Sequence, residues 1–480
     1  MKTSRTRIGI LGAGPAGLGA ALGLARRGFS PILVERSGSI GGNAASFDLA
    51  GIKVDLGSHR LHPATDPEIL SLLRSLLGPD LLERPRNGRI LLKGRWIRFP
   101  LRPLDLLLRA DRAFMFGVIR DMAGRRVRGP GSGSTPDLRE ETFASLLQRG
   151  LGRTICQAFY FPYARKIWGL DPREISPDQA MKRVSARSMV SLIRRLLPGG
   201  TGPGGQRSRG RFFYPREGFG QISRALWEAA SEAGAETRLG STVKRVRLAE
   251  GGVEVVMEKD GQARTVSFHH LWSTIPVGAL VRLTDPPPPP DVLRSADSLQ
   301  HRAMILVYLV LAQDRVTEFD AHYVPGLEVP FTRVSEPKNY SGATEPGDRT
   351  VLCAEIPCAV GDETWAMPPP ELGELVGNGL QAIGMPVGEA VVDVHVHRIP
   401  SAYPIYSLGY ETHLKRIEEW VEALPRVVSF GRQGLFAHDN THHALFSALS
   451  AVRCMGDDGR FDQERWAGFR KIFATHVVED

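Results

Sequence analysis

Apolar positions along this chain alternate between short unbroken runs and helical spacings, and the alternation predicts a mixed α/β protein. Ile8, Ile10 and Leu11 form a run suited to a strand buried on both faces; Ala20, Ala21, Leu22, Leu24 and Ala25 continue as a helix, and a second strand ends at Val34. Phe47 to His62 reads as a short hairpin followed by a turn with two histidines. EILSLLRSLL, within Pro67–Leu77, has helical periodicity, and NGRILLKGRWIRFPL, Asn87 to Leu101, alternates about a turn as a hairpin does. Leu104 to Met122 predicts one or two helices, whose apolar face packs on the protein or, in the sharper reading, lies on a membrane surface. Thr142 opens a helical stretch that runs to FYFPYARKIWGLDPREIS. Phe212 to Met257 reads as turn, helix and two strands, and Ser273 to Pro276 ends a further strand. The prolines 286–290 read as a linker or rigid turn. HRAMILVYLVLAQ and RTVLCAEIP then predict apolar strands of a second sheet, and Arg432 to Ala451 a loop that closes as a helix.

The first strand runs into glycines. Gly12, Gly14 and Gly17 complete GxGxxG, with Pro15 and Ala16 between them, and Glu35 ends the second strand. Gly12 permits the tight turn, Gly14 lets backbone approach a pyrophosphate, and Gly17 lets helix and strand pack closely. The helix N-terminus offers N–H groups to phosphates, and Glu35 can accept from ribose hydroxyls. In register, these parts predict a dinucleotide site.

A chain of 480 residues suggests two or three domains, and 42% hydrophobic with 24% charged residues is a globular composition. No apolar run approaches the roughly 20 residues that span a bilayer. The N-terminal apolar stretch is punctuated by glycine, so no signal peptide is expected. Cys156, Cys353, Cys358 and Cys454 lack metal or pairing spacings and read as reduced core residues of a cytoplasmic protein. The net charge of +9 is concentrated in Arg120–Arg128 and Arg194–Arg211, read as solvated loops or as surfaces for an anionic partner, such as the inner membrane surface or a nucleotide sugar. The glycine-rich segment Leu197–Arg211 is expected to be a lid or a mobile insert. Nucleic acid is not an expected partner. No metal is expected either, because adjacent histidines such as His442 and His443 rarely share an ion.

The pair Gly41-Gly42 after the acid, with Asn43 and Ala44, resembles the FAD-binding superfamily of amine oxidases, protoporphyrinogen oxidase and UDP-galactopyranose mutase. In patches the chain is most similar to the mutases: GGNA at 41–44, SHRLH at 58–62, GRWIRFPL at 94–101, PYARKIWGLDP at 162–172, FYPREGFGQI at 213–222, PFTRVSEPKNY at 330–340, AYPIY around Tyr403, and GRQGLFAHDN at 431–440. The resemblance implies FAD as cofactor, held by Gly12, Gly14, Pro15, Ala16, Gly17, Glu35, Arg36, Gly41, Gly42, Asn43, His59, Arg60, Gly431, Arg432, Asp439, Asn440 and Thr441. It implies a catalytic set of Arg302, Arg333, Glu336, His59 and Tyr403, and substrate contacts from Tyr163, Trp168 and Tyr323. From the residues alone, Arg302 and Arg333 also read as members of a buried ion pair, for instance with Glu336, and Tyr163 with Trp168 as core aromatics. The chain departs from the mutases at Ile356, where they carry a substrate-gripping Tyr, and at His438–His442.

The expected fold is α/β: a Rossmann-like FAD-binding domain of glutathione-reductase type, a mixed β-sheet substrate domain and a helical cap. The expected boundaries are 1–62, 212–285 and 425–480 for the FAD domain, 63–211 for the cap with its hairpin and basic loop, and 286–424 for the substrate domain. The expected activity is FAD-dependent oxidation, with hydride transfer from a polar small molecule, for example a sugar or nucleotide sugar. The alternative is a redox-neutral mutase using reduced flavin, and a non-catalytic flavoprotein is the third reading.

Overall fold

Five parallel strands form the sheet on which the rest is assembled, in the order Val427–Ser429, His270–Ser273, Arg7–Leu11, Ser30–Val34, Glu236–Arg238. The structure is a computed structural model and describes residues 6–100, 111–128, 141–183 and 210–478. Residues 104–110 of the expected cap helices, the glycine-serine segment 129–134 and residues 194–209 of the basic stretch lie outside the described residues. The inner strands are largely apolar because both faces of the sheet are covered, whereas the edge strand Glu236–Arg238 is polar and part-exposed. Helices Pro15–Arg26, Gln221–Glu232 and Thr441–Cys454 cover one face, burying Leu18, Leu22, Leu226 and Leu445 against Ile8, Ile10 and Leu33. The other face carries an antiparallel sheet of Thr242–Ala249, Gly252–Lys259 and Gln262–Phe268, whose Val246, Val253 and Val255 pack on Leu11, Ile32 and Val34. Gly19 and Gly23 allow the first helix to lie against the last, since a Cβ at either would come within 2.9 Å of Leu445 or Val452.

Two helices missing from the sequence reading lie on this half. Val277–Leu283 precedes the proline run, and Pro290–Ser298 starts inside it, because proline is well tolerated in a first helical turn. Helix Tyr410–Ala423, expected within the substrate domain, packs here too through Ile417 and Val421.

The second sheet has seven strands, in the order Val391–Pro404, His301–Leu311, Thr350–Cys358, Arg333–Ser335, Ala321–Tyr323, Gly88–Leu92, Arg95–Phe99. In strand His301–Leu311 the odd residues Ala303 to Leu311 meet helix Pro369–Ala382. The even residues Met304 to Val310 meet the hairpin Ser46–Leu49/Ile52–Asp55 of the dinucleotide half. Hairpin Gly88–Leu92/Arg95–Phe99 was expected in the cap. It instead closes the edge of this sheet, because residues 88–90 pair in parallel with Ala321–Tyr323.

The cap proper is built from helices Phe143–Leu151, Phe161–Trp168 and Pro177–Arg183, packed through Phe143, Leu147, Ala164, Ile167 and Trp168. Thr142 caps the first of these by accepting from Ser145 N at 3.2 Å. Gly169, left-handed at φ +70°, ends the second. Helix Arg112–Arg128 lies beside them and sets Phe114 and Val118 on Ile97.

Candidate functional site

The glycine turn has the geometry that its spacing predicts. Gly12 sits at φ +99°, and a Cβ on Gly17 would stand 2.0 Å from Gly12 O, so a side chain at 17 is incompatible with the turn. Gly14 differs: its Cβ would meet only Gly41 O, at 3.9 Å, and otherwise points into open space. Helix Pro15–Arg26 begins there, with the unpaired N–H groups of its first turn beside that space. Glu35 is held by two backbone donors, Ala13 N at 2.9 Å and Ser37 N at 2.8 Å. Gly41 at φ +104° and Gly42 at φ +52° bring the chain back over Gly14, and Gly41 N donates to Ala13 O at 2.8 Å. Gly431, at φ +75°, abuts Ala16 so closely that a Cβ would fall 2.7 Å from it. Asn43 is tied to Ser401 O at 3.3 Å, and Arg36 is exposed at the rim.

From this turn one cavity of about 1880 Å³ extends between the two sheets to the cap. It brings together Gly12, Gly14, Glu35, Arg36, Asn43, His59, Arg60, Tyr163, Trp168, Tyr323, Arg333, Tyr403, Arg432, Asp439, Asn440 and Thr441. The turn Gly57–Arg60 forms its middle. His59 is stacked on Phe219 at 5.2 Å, and its Nε2 lies 3.0 Å from Leu56 O. Burial lowers its pKa, so it is neutral near pH 7 although Asp55 pulls the other way. Arg60 donates to Asp320 at 2.8 Å and to the hydroxyl of Tyr323 at 3.0 Å, and lies over the rings of Phe212 and Tyr340. Arg432 donates to the carbonyls of Asp439 and Ala402 at 3.0 and 2.8 Å, with its guanidinium 5.0 Å from the Tyr403 ring. Tyr163 and Trp168 meet edge to face at 6.4 Å, so they are core aromatics and cavity wall at once.

Arg333 and Glu355 are the charged centre of the cavity. They are cross-strand partners, with Arg333 Nε and Nη2 donating to Glu355 at 2.9 and 2.8 Å. Glu355 Oε1 also accepts from Ser58 N at 2.9 Å, which ties the Gly57–Arg60 turn to the second sheet. Burial opposes the Arg333 cation, yet the Glu355 carboxylate together with Tyr323, Tyr403 and Tyr340 outweighs it and holds the guanidinium pKa well above its usual value. Glu355 was missed in the sequence. Its signal is a lone carboxylate in the strand TVLCAEIPC, where alternation puts Leu352, Ala354 and Ile356 on the helix side and Glu355 opposite.

Two expected site residues lie elsewhere. Glu336 is buried outside the cavity and is not the partner of Arg333; it accepts from Val316 N, Thr317 N and the Thr350 hydroxyl at 3.0, 3.1 and 2.8 Å, and so anchors a loop. Arg302 is also outside, at the start of its strand where the pairing with Val391–Pro404 shifts register, and reaches the carbonyls of Lys166 and Pro357 at 3.5 and 3.3 Å. Ile356 points into the helix-side core, so its departure from the mutase pattern does not alter the cavity wall. Among the described residues one group has metal-ligand spacing: Asp439, His443 and His476. Lys182 acts electrostatically on both Asp439 and His443, and that positive charge opposes a cation there.

The turn, the acid and the cavity beyond them fit a dinucleotide whose second half reaches the middle of the protein. Residues 15–455 match the family model of flavin containing amine oxidoreductases. The chain belongs to that family. The flavoprotein's cofactor is FAD. Over 289 residues it is 27% identical to a protein from two strains of Mycobacterium tuberculosis named as a flavin-containing monoamine oxidase, AofH. That match covers 59% of this chain, and the chain spans about 60% of the length of those curated relatives. Among solved structures, a reduced UDP-galactopyranose mutase overlays with a TM-score of 0.80 at 21% identity, covering 99% of this chain and 100% of that one. A protein from Exiguobacterium sp. 255-15 named as a protoporphyrinogen oxidase gives 0.71 at 18%, covering 94% and 98%. Putrescine oxidase bound to putrescine gives 0.64 at 18%, covering 94% and 99%. These overlays show the flavoprotein's fold. No described helix is long and apolar enough to cross a membrane.

Proposed function

We propose that this protein is an FAD-dependent oxidoreductase that oxidises a C–H bond of a small molecule seated between the Gly57–Arg60 turn and the aromatic wall of the cap. Bound FAD supplies the hydride acceptor. The observation that carries the reading is the single cavity joining the dinucleotide turn to Tyr163, Trp168, Tyr323 and Tyr403 in a chain of this family. Gly12, Gly14 and Gly17 with the helix N-terminus would hold the pyrophosphate, and Glu35 the adenosine ribose. Asn43, Arg432 and the helix beginning at Thr441 would hold the remainder.

Toward the substrate, the protein's own groups orient and exclude water. Arg333 is fixed by Glu355, which leaves its Nη1 edge as the donor toward the cavity. Because its charge is already matched, Arg333 suits a neutral acceptor, such as a carbonyl or hydroxyl oxygen, better than a diphosphate. His59, neutral and with its Nε2–H donated to Leu56 O, can accept one hydrogen bond at Nδ1. Tyr323 and Tyr403 each set a ring and a hydroxyl on the wall, with the Tyr323 hydroxyl accepting from Arg60.

Anaerobic mixing of the FAD-loaded protein with candidate amines, alcohols and sugars tests this. Loss of the oxidised flavin's visible absorbance with one of them supports oxidation. Rearrangement of a nucleotide sugar by dithionite-reduced protein, without net oxidation, would replace this reading with that of a redox-neutral mutase.

A further inference from the structure

Hairpin Gly88–Leu92/Arg95–Phe99 sets apolar side chains on both faces although it lies at a sheet edge, with Arg89 and Arg98 paired on one of them. One face, with Leu91 and Trp96, packs into the core of the second sheet. The other presents Ile90, Leu92 and Phe99 to the cavity, with Ile97 packed beneath Phe114 and Val118, and Met115 and Ile155 line the cavity beside them. This part of the cavity is a hydrocarbon-lined lobe beyond Tyr323, whose ring meets Phe99 edge to face at 5.5 Å. At its mouth the Arg86 guanidinium lies 4.3 Å from the Phe99 ring centroid, and its buried Nε and Nη2 have no hydrogen-bond acceptor. A buried donor without an acceptor is unfavourable, the more so when it carries charge, so a bound acceptor there is favoured.

We infer that the lobe binds the hydrocarbon body of an amphiphilic substrate whose anionic group, a carboxylate or an equivalent oxyanion, pairs with Arg86. The inference rests on the reading of the cavity as the substrate site and adds a substrate class: an apolar body with one acidic group, not a sugar nucleotide. Arg86 lines the cavity beside Phe99, and its Nε and Nη2 are the donors that an entering carboxylate would satisfy. Hydrocarbon specificity comes from area: each methylene buried in the lobe raises affinity roughly fourfold, so affinity rises steeply with chain length.

Isothermal titration calorimetry of the full FAD-loaded chain with n-decanoate, n-butyrate and UDP-glucose tests the inference. The expected result is saturable binding of one decanoate per chain, far weaker binding of butyrate, and no competition from UDP-glucose. Arg86→Gln should weaken decanoate about tenfold, the loss of one charged hydrogen bond, with flavin spectrum and melting temperature unchanged. Ile155→Trp should weaken it by filling the lobe. Absent saturable binding, affinity that both variants leave unchanged, or displacement by UDP-glucose would each overturn the inference. Decanoate binding in a protein whose flavin no substrate reduces would leave the lobe standing and refute the proposed reaction alone.

Discussion

Replacing Glu355 by Gln would isolate the Arg333 charge without changing the volume at its centre. The Arg333 side chain is 17% exposed and that of Glu355 4%, so neither is well solvated. Gln keeps an oxygen for Ser58 N but sets an amide where the second carboxylate oxygen accepted from Arg333. Breaking a buried pair from one side costs roughly 3–5 kcal/mol, because the remaining charge is uncompensated. With an unfolding entropy of about 2.1 cal/mol/K per residue, a chain of this length loses about 1 °C per kcal/mol, so a drop of roughly 3–5 °C is expected. Arg333→Met alone should cost a similar amount. The double variant Arg333→Met/Glu355→Gln should recover most of it, since no charge is left buried. Differential scanning calorimetry of the four FAD-loaded proteins reads the cycle. A Glu355→Gln protein melting within 1 °C of the parent, with a double variant that recovers nothing, would refute the pair as the charged centre of the site.

Gly14→Val and Gly17→Val should part company: the first folds but purifies colourless, since its side chain occupies only open space beside the turn, whereas the second lowers expression or melting temperature because a Cβ collides with Gly12 O. Flavin absorbance and circular dichroism separate the two outcomes, and a yellow Gly14→Val protein would displace the phosphate turn. Burial, reinforced by Arg89, lowers the His322 pKa to about 3, and burial, reinforced by Arg432, lowers His301 to about 4. Both are neutral when folded and accept a proton on unfolding below about 6.5, so their contribution is intact above that pH and is lost as the pH falls toward 4, by up to about 1.4 kcal/mol per pH unit each. His322→Asn should therefore flatten the fall in stability between pH 6 and 4.5 by about one proton in denaturant titrations; an unchanged slope would show that His322 titrates normally. Arg60→Met should strand Asp320 and lower the melting temperature by a few degrees, while Arg60→Met/Asp320→Asn restores much of it by calorimetry.

The parts legible in the sequence are those where local chemistry admits one solution. GxGxxG with a strand before it and an acid after it constrains backbone angles so tightly that Gly12, Gly17 and Glu35 could be placed from spacing. The aromatic wall was half-legible: Tyr163 and Trp168 sit on a helix with a clear period, but only the cavity shows that they border it. Pairing between distant segments was not legible. The partner of residues 88–90 is Ala321–Tyr323, and nothing local announces it. Arg333 was recognised as a charge needing a partner, yet Glu336, three residues on, drew the assignment from Glu355, whose face alternation gives but whose place across the ladder it does not. Arg302 failed for a related reason: the carbonyls that it reaches, of Lys166 and Pro357, lie on distant segments that nothing local announces.

The order of strands in the parallel sheet bears on how the chain comes into being. Arg7–Leu11 is flanked by Ser30–Val34 on one side and by His270–Ser273 on the other, and the latter is flanked in turn by Val427–Ser429. During synthesis the dinucleotide turn therefore leaves the ribosome long before three of its five strands exist, and Ser58 waits for Glu355, 297 residues on. Until helix Thr441–Cys454 arrives, Leu18 and Leu22 lack the cover of Leu445 on that face, a state that favours chaperone capture or aggregation. Shortening the chain anywhere before Val427 should consequently yield not a smaller flavoprotein but an insoluble one.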